Sequence, residues 1–149
     1  MDKLPGSQKE TRALKTYVKL MRAAESVTAR IHRNLKSSGL TLSQFGVLEA
    51  LNHLGPLSQK DISRKILRSS GNITLVIDNL EKRGLVRRER KITDRRFFIV
   101  HLTVKGARLI KDIFPIHAAR IARELGSLSA AEQETLGILC KKLGKVKRV

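Results

Sequence analysis

Residues 58–102 limit what this chain can fold into more than any other stretch. Within them Ile73, Val76, Ile77 and Leu80 recur at steps of three and four residues, so a helix over residues 70–82 gathers them into one buried stripe. Thr74, Leu75, Asp78 and Asn79 are left on the outward side. Gly84 ends that helix; residues 85–90 read as a strand, 91–96 as a charged turn and 97–102 as a returning strand. A shorter helix precedes it: Ser58 and Asp61 make an N-terminal cap ahead of Ile62, Ile66 and Leu67. Residues 68–71 form the connecting turn, in which Ser69 or Ser70 caps the second helix. A helix pair followed by a basic hairpin is the plan of a winged helix-turn-helix, whose second helix lies in a DNA major groove.

The remaining sequence reads as a frame for this unit. Between residues 9 and 36 there is neither Pro nor Gly, and Leu14, Val18, Met21, Ala24, Val27, Ile31 and Leu35 recur at helical steps. Gly39 suits the left-handed position that closes such a helix. Thr41 and Gln44 form a capping box that opens a helix with Phe45, Val47, Leu48 and Leu51. After the hairpin the helical period resumes through Leu109, Ile110, Ile113 and Phe114, where Pro115 predicts a kink or a break. Ser129 and Glu132 are a further capping box, ahead of Leu136, Leu139 and Leu143 and a basic tail. The predicted fold class is mostly α with a small β wing, a single domain over residues 1–149. In it a winged helix-turn-helix lobe (41–103) is flanked by N- and C-terminal dimerisation helices (9–37 and 104–149). A first helix this long needs an apolar partner that a small winged lobe cannot supply, and a second subunit can.

Charge narrows the function. Against 13 Asp and Glu there are 31 Lys and Arg, a formal +18, and such an excess calls for a polyanion. Nucleic acid fits better than an anionic membrane, because there is no Trp and the densest basic run lies on a hairpin rather than along an amphipathic helix. No apolar run is long enough to cross a bilayer, and the N-terminus lacks the apolar core of a signal peptide. With one cysteine, Cys140, no intramolecular disulfide can form; a cytoplasmic location is the expectation. Cys140 lies among leucines and is expected to be a small buried hydrophobe, with redox sensing the alternative. His32, His53, His101 and His117 have no metal-ligand spacing with Cys or carboxylates, so structural or surface roles are expected, and no metal or other cofactor. Paired catalytic carboxylates, a Gly-rich phosphate loop and a Ser-His-Asp arrangement have no candidates, so an enzyme is not expected.

Three short patterns then coincide: Leu80-Glu81-Lys82-Arg83-Gly84-Leu85-Val86-Arg87-Arg88, Asp94-Arg95-Arg96, and Leu102-Thr103-Val104-Lys105-Gly106. In order and spacing they resemble the multiple antibiotic resistance regulator (MarR) family, whose pattern here is L-E-x-x-G-L-V-x-R, D-R-R and L-T-x-x-G. The resemblance implies an obligate homodimer with interdigitating terminal helices and a transcription regulator, usually a repressor. It also implies release by a small phenolic or other apolar anion bound between the dimer helices and the DNA-binding lobe. One departure is Leu75, where many relatives place Arg or another polar residue facing DNA. Leucine can pack on a thymine methyl but bonds neither base edge nor phosphate, which shifts expected affinity toward backbone contacts.

The candidate interface follows. Between Glu81 and Arg96, eight of sixteen residues are basic and three acidic, which favours DNA contact over a merely solvated hairpin. Arg88, Arg90, Lys91, Arg95 and Arg96 are the candidate wing contacts. Asp94 is read as a brace for the turn; by resemblance, Arg95 or Arg96 enters the minor groove. On the recognition helix the candidates are Ser69, Ser70, Asn72, Thr74, Leu75 and Asn79; Asn can bond adenine through two atoms. Leu14, Tyr17, Phe45, Val47 and Phe114 either line an effector crevice or belong to the core. The partners implied are duplex DNA carrying an inverted repeat, a second copy of the chain and a small effector. Rival readings are an architectural DNA-binding protein of the same fold with little sequence preference, and an RNA- or ribosome-associated factor. Aromatic residues at 3% leave the latter few stacking platforms.

Overall fold

The computed structural model describes residues 6–66 and 70–145. In chain order the elements are α1 (Gln8–Leu35), a 3-10 turn (Lys36–Ser38), α2 (Leu42–Leu54), β1 (Leu57–Ser58), α3 (Gln59–Ile66), α4 (Ser70–Lys82), β2 (Val86–Arg90), β3 (Phe98–Leu102), α5 (Val104–Leu125) and α6 (Ala130–Gly144). The fold is mostly helical with a small antiparallel wing, as the patterns predict. Two compact units divide it: His32–Ala118 form one, and the described residues up to Ile31 and from Ala119 onward form the other.

The first unit is a winged helix-turn-helix built around an apolar core. Leu48, Ile62, Ile73, Ile77, Leu80 and Val100 are all essentially solvent-free, so every helix of the lobe and the sheet contribute to it. Burying a Leu or Ile contributes roughly 1.5–3 kcal/mol each, which is enough to hold short helices that would not persist alone. Thr41 and Gln44 form the expected capping box: the Gln44 N–H donates to Thr41 Oγ1 at 3.1 Å and the Thr41 N–H to Gln44 Oε1 at 3.0 Å. Ser58 opens α3 by accepting from the Asp61 N–H at 3.1 Å. Gly39 sits at φ +72°, in the left-handed region expected of it.

The sheet has three strands in the order β1-β3-β2. Two were legible; β1 was not, because two residues show no periodicity. Leu57 and Ser58 pair with Val100 and Ile99 of β3 and anchor the start of α3 to the wing. Cys140, expected to be buried, is exposed, since α6 buries none of its residues. Pro115 does not break α5. Proline removes one ladder hydrogen bond, and the preceding turns are held because Ile110 is fully buried with Leu109 and Ile113 packed on the same core. His117, further along α5, is buried with its ring 4.1 Å from that of Phe45.

The second unit is helical throughout its described residues. A capping box at Ser7 and Glu10, not anticipated, starts α1: the Ser7 N–H donates to Glu10 Oε2 at 2.6 Å and the Glu10 N–H to Ser7 Oγ at 3.2 Å. These bonds lower the Glu10 pKa below the usual carboxylate value, the Ser7 backbone donor being the largest cause. Ser129 and Glu132 cap α6 in the predicted way. Arg30 and Glu124 form an ion pair within this unit. The Gln133 side-chain amide donates to the Leu125 and Leu128 carbonyls, each at 3.0 Å, and closes the turn between α5 and α6. None of the described helices is long and apolar enough to cross a membrane.

Candidate nucleic-acid interface

The patterned residues at 80–106 have physical jobs in the lobe. Leu80 is core. Gly84, at φ +70°, ends α4 in a Schellman arrangement: the Leu85 N–H donates to the Leu80 carbonyl at 3.0 Å and the Gly84 N–H to the Glu81 carbonyl at 2.9 Å. Thr103 caps α5 by accepting from the Gly106 N–H at 3.1 Å, and its hydroxyl donates to the Gly84 carbonyl at 2.6 Å. Lys105 Nζ donates to the Arg83 carbonyl at 2.9 Å, so the carbonyls left over at the end of α4 are satisfied by the start of α5. Gly106 is there for space: a Cβ would stand 2.0 Å from the Leu85 carbonyl oxygen.

Glu81 and Arg88 make a clamp between recognition helix and wing. Arg88 Nη1 reaches Glu81 Oε1 at 3.2 Å, Nη2 reaches Asp78 Oδ1 at 2.6 Å, and the Arg88 backbone N–H donates to Glu81 Oε2 at 2.9 Å. Arg88 Nε donates to Gln59 Oε1 at 3.0 Å, and the Gln59 amide donates onward to Thr74 Oγ1 at 3.2 Å. Three elements, α3, α4 and β2, are thereby fixed to one another. The sequence reading placed Arg88 among the wing's DNA contacts. Its side chain is 15% exposed and held between two carboxylates on α4. Gln59 was missed altogether; a glutamine at a helix start carries no signal until its partners are adjacent.

Four of the five candidate wing cations remain outward. Arg90 is exposed and stacks over Phe98 at 5.3 Å from the ring centroid. Lys91 and Arg95 are exposed, and the Arg96 side chain is 91% so. Asp94 shapes their turn: Oδ1 accepts from the Arg96 N–H at 3.0 Å and its carbonyl from the Phe97 N–H at 3.1 Å. On α4, Asn72, Thr74, Leu75 and Asn79 are exposed, Leu75 at 62%. Ser69 lies outside the described residues, as does Leu67; Ser70 is the first residue of α4. Between α4 and the wing runs a groove lined by Ser58, Gln59, Lys60, Thr74, Arg96 and Phe97. Arg83 donates to the Gly39 carbonyl at 2.8 Å and ties the first helix's end to α4.

The candidate crevice residues do not share one environment. Phe45 and Val47 are buried in the lobe core, Phe114 is partly exposed, and Leu14 and Tyr17 are exposed on α1 beside Gly6, Glu10 and Ala13. Among the described residues no cluster of His, Cys, Asp and Glu could hold a metal ion.

A basic hairpin clamped at a fixed angle to an exposed recognition helix defines a winged-helix DNA-binding protein. Comparison with known proteins agrees: the model of the MarR family matches residues 40–97. The HTH-type transcriptional regulator YkoM of Bacillus subtilis, itself uncharacterized, is 42% identical over 89% of this chain and 86% of its own length. BpsR of Bordetella bronchiseptica, whose DNA binding is regulated by 6-hydroxynicotinic acid, superposes with a TM-score of 0.81 at 29% identity over 88% of this chain and 99% of that one. Sco3205 of Streptomyces coelicolor, a MarR family regulator solved in complex with DNA, shares the fold with a TM-score of 0.82 at 20% identity, covering 97% and 91%. The chain belongs to the MarR family of DNA-binding transcriptional regulators.

Proposed function

We propose that the chain acts in the cytoplasm as a homodimeric repressor that grips an inverted-repeat operator and is released by a small apolar or anionic effector. The observation that carries this reading is α6. Its Leu136, Ile138, Leu139 and Leu143 are between 43% and 68% exposed, and the helix has no buried residue. Leu14, Tyr17, Val18 and Met21 on α1 are exposed in the same way, at 41–60%. Apolar faces of this extent mark an association surface, and a second copy supplies the matching face by symmetry. Two copies put two recognition helices in successive major grooves about 34 Å apart, hence the inverted repeat.

Asn72, Thr74, Leu75 and Asn79 are the proposed base-facing residues, and Arg90, Lys91, Arg95 and Arg96 the wing contacts, with Arg95 or Arg96 in the minor groove. Effector control is supported by BpsR, whose regulator is an aromatic acid; Leu14 and Tyr17 are the proposed contacts for such a molecule on this chain.

The test is a titration of the native upstream duplex against random duplex across a salt series. A dimeric repressor prefers its operator by roughly 10³ or more, with log K falling by roughly 0.9 for each phosphate neutralised per tenfold rise in salt. Equal affinity for both duplexes contradicts the operator, and a chain that sediments alone contradicts the dimer.

A further inference from the structure

Several polar groups on and beside the recognition helix are engaged within the lobe. Arg88, on β2, is held by Asp78, Glu81 and Gln59. The Thr74 hydroxyl already accepts from Gln59. Asp78 and Glu81 are bound to Arg88, and as carboxylates they are repelled by phosphate. Asn72, Leu75 and Asn79 are exposed, and at spacings of three and four residues they share one face of α4. Leu75 lies in the middle of that face and is 62% exposed. In the major groove the one apolar group a base edge offers is the 5-methyl of thymine.

We infer that Leu75 is a specificity-determining residue, reading a thymine methyl at a fixed position of each half-site, with Asn72 and Asn79 on either side. This rests on the proposed DNA-binding mode and deepens it: the exposed Leu75 selects thymine over cytosine by a hydrophobic contact. The Arg88 clamp assists by holding α4 at one angle to the wing, so Leu75 meets the same base step whenever the wing is seated.

The experiment uses the full-length protein. Its site is first located by footprinting on the DNA upstream of its own gene. Each thymine in the protected major grooves is then replaced by deoxyuridine, which removes the methyl and leaves base pairing intact. Losing one buried methyl should weaken binding roughly fourfold at one half-site and roughly fifteenfold when both are changed. Leu75→Ala should lose affinity for the thymine duplex and bind both duplexes alike, with an unchanged melting temperature because the side chain is outside the core. If deoxyuridine is tolerated everywhere by the wild-type protein, or if Leu75→Ala keeps the full methyl dependence, the inference is overturned while DNA binding stands. No footprint at any salt overturns the binding mode and this inference together.

Discussion

The two units handle their apolar residues in opposite ways. In the winged lobe the stripe of α4 is closed over: Ile73, Ile77 and Leu80 have 1% exposure or less. In the helical unit, α6 has the same kind of sequence and buries nothing. A lobe that covers its own core can fold within one chain, and its wing carries the exposed cations Arg90, Lys91, Arg95 and Arg96. Helices that cannot cover themselves need a further surface. One sequence thus encodes a part that closes over its own core and a part that leaves apolar helix faces exposed.

This contrast is broken most severely at α6. Leu139→Glu should raise the dimer dissociation constant by at least about a hundredfold, since a charge buried without a partner costs several kcal/mol. Sedimentation velocity over a concentration series reads it, and the far-UV spectrum of the lobe helices should persist. A dimer of unaltered strength would place the contact elsewhere. In the lobe the matching lesion is Gly106→Ala, which drives a methyl into the Leu85 carbonyl. It should destabilise the lobe by about 3 kcal/mol, read by chemical denaturation. An unshifted midpoint would mean that α5 can slide away from the wing.

A smaller effect is expected at the clamp. Arg88→Met removes charge-assisted bonds and leaves Asp78 and Glu81 without their cation, at about 2 kcal/mol of stability. It should also weaken DNA binding by loosening α4 from the wing. Arg96→Ala should separate the two effects, leaving the melting temperature unchanged while weakening the operator complex. A variant pair behaving alike would erase the distinction between clamp and contact. The smallest effect is at Glu10. Its folded pKa is depressed, so its contribution is present above the unfolded value and is lost as pH falls through the folded one. The protection of the Ser7 amide against hydrogen exchange, taken relative to the intrinsic rate at each pH, should fall in acid, with that of the lobe unaffected.

Most of the fold was legible because local signals agreed with one another. The α4 stripe, the stop at Gly84, the boxes at Thr41 and Ser129 and the strand pair each depend on residues a few positions apart. What escaped depends on distance in the chain. Arg88 reads as one more wing cation until Asp78, Glu81 and Gln59 are brought beside it, the last 29 residues away in sequence. Gly106 shows its purpose only once the Leu85 carbonyl lies 2.0 Å from where a side chain would begin. Cys140 looked buried because its neighbours are leucines; periodicity says which face is apolar and not whether the covering surface belongs to the same chain. Pro115 looked like a break because its local cost is visible in sequence and the core that holds the preceding turns is not.

The division of labour between a self-sufficient DNA-facing lobe and an unfinished helical unit is tested most directly by hydroxyl-radical footprinting of the full-length protein on its upstream DNA. The predicted result is two protected patches related by a dyad and centred about 34 Å apart, both fading together in Leu139→Glu. A single protected patch, or two that survive when self-association is abolished, would contradict it.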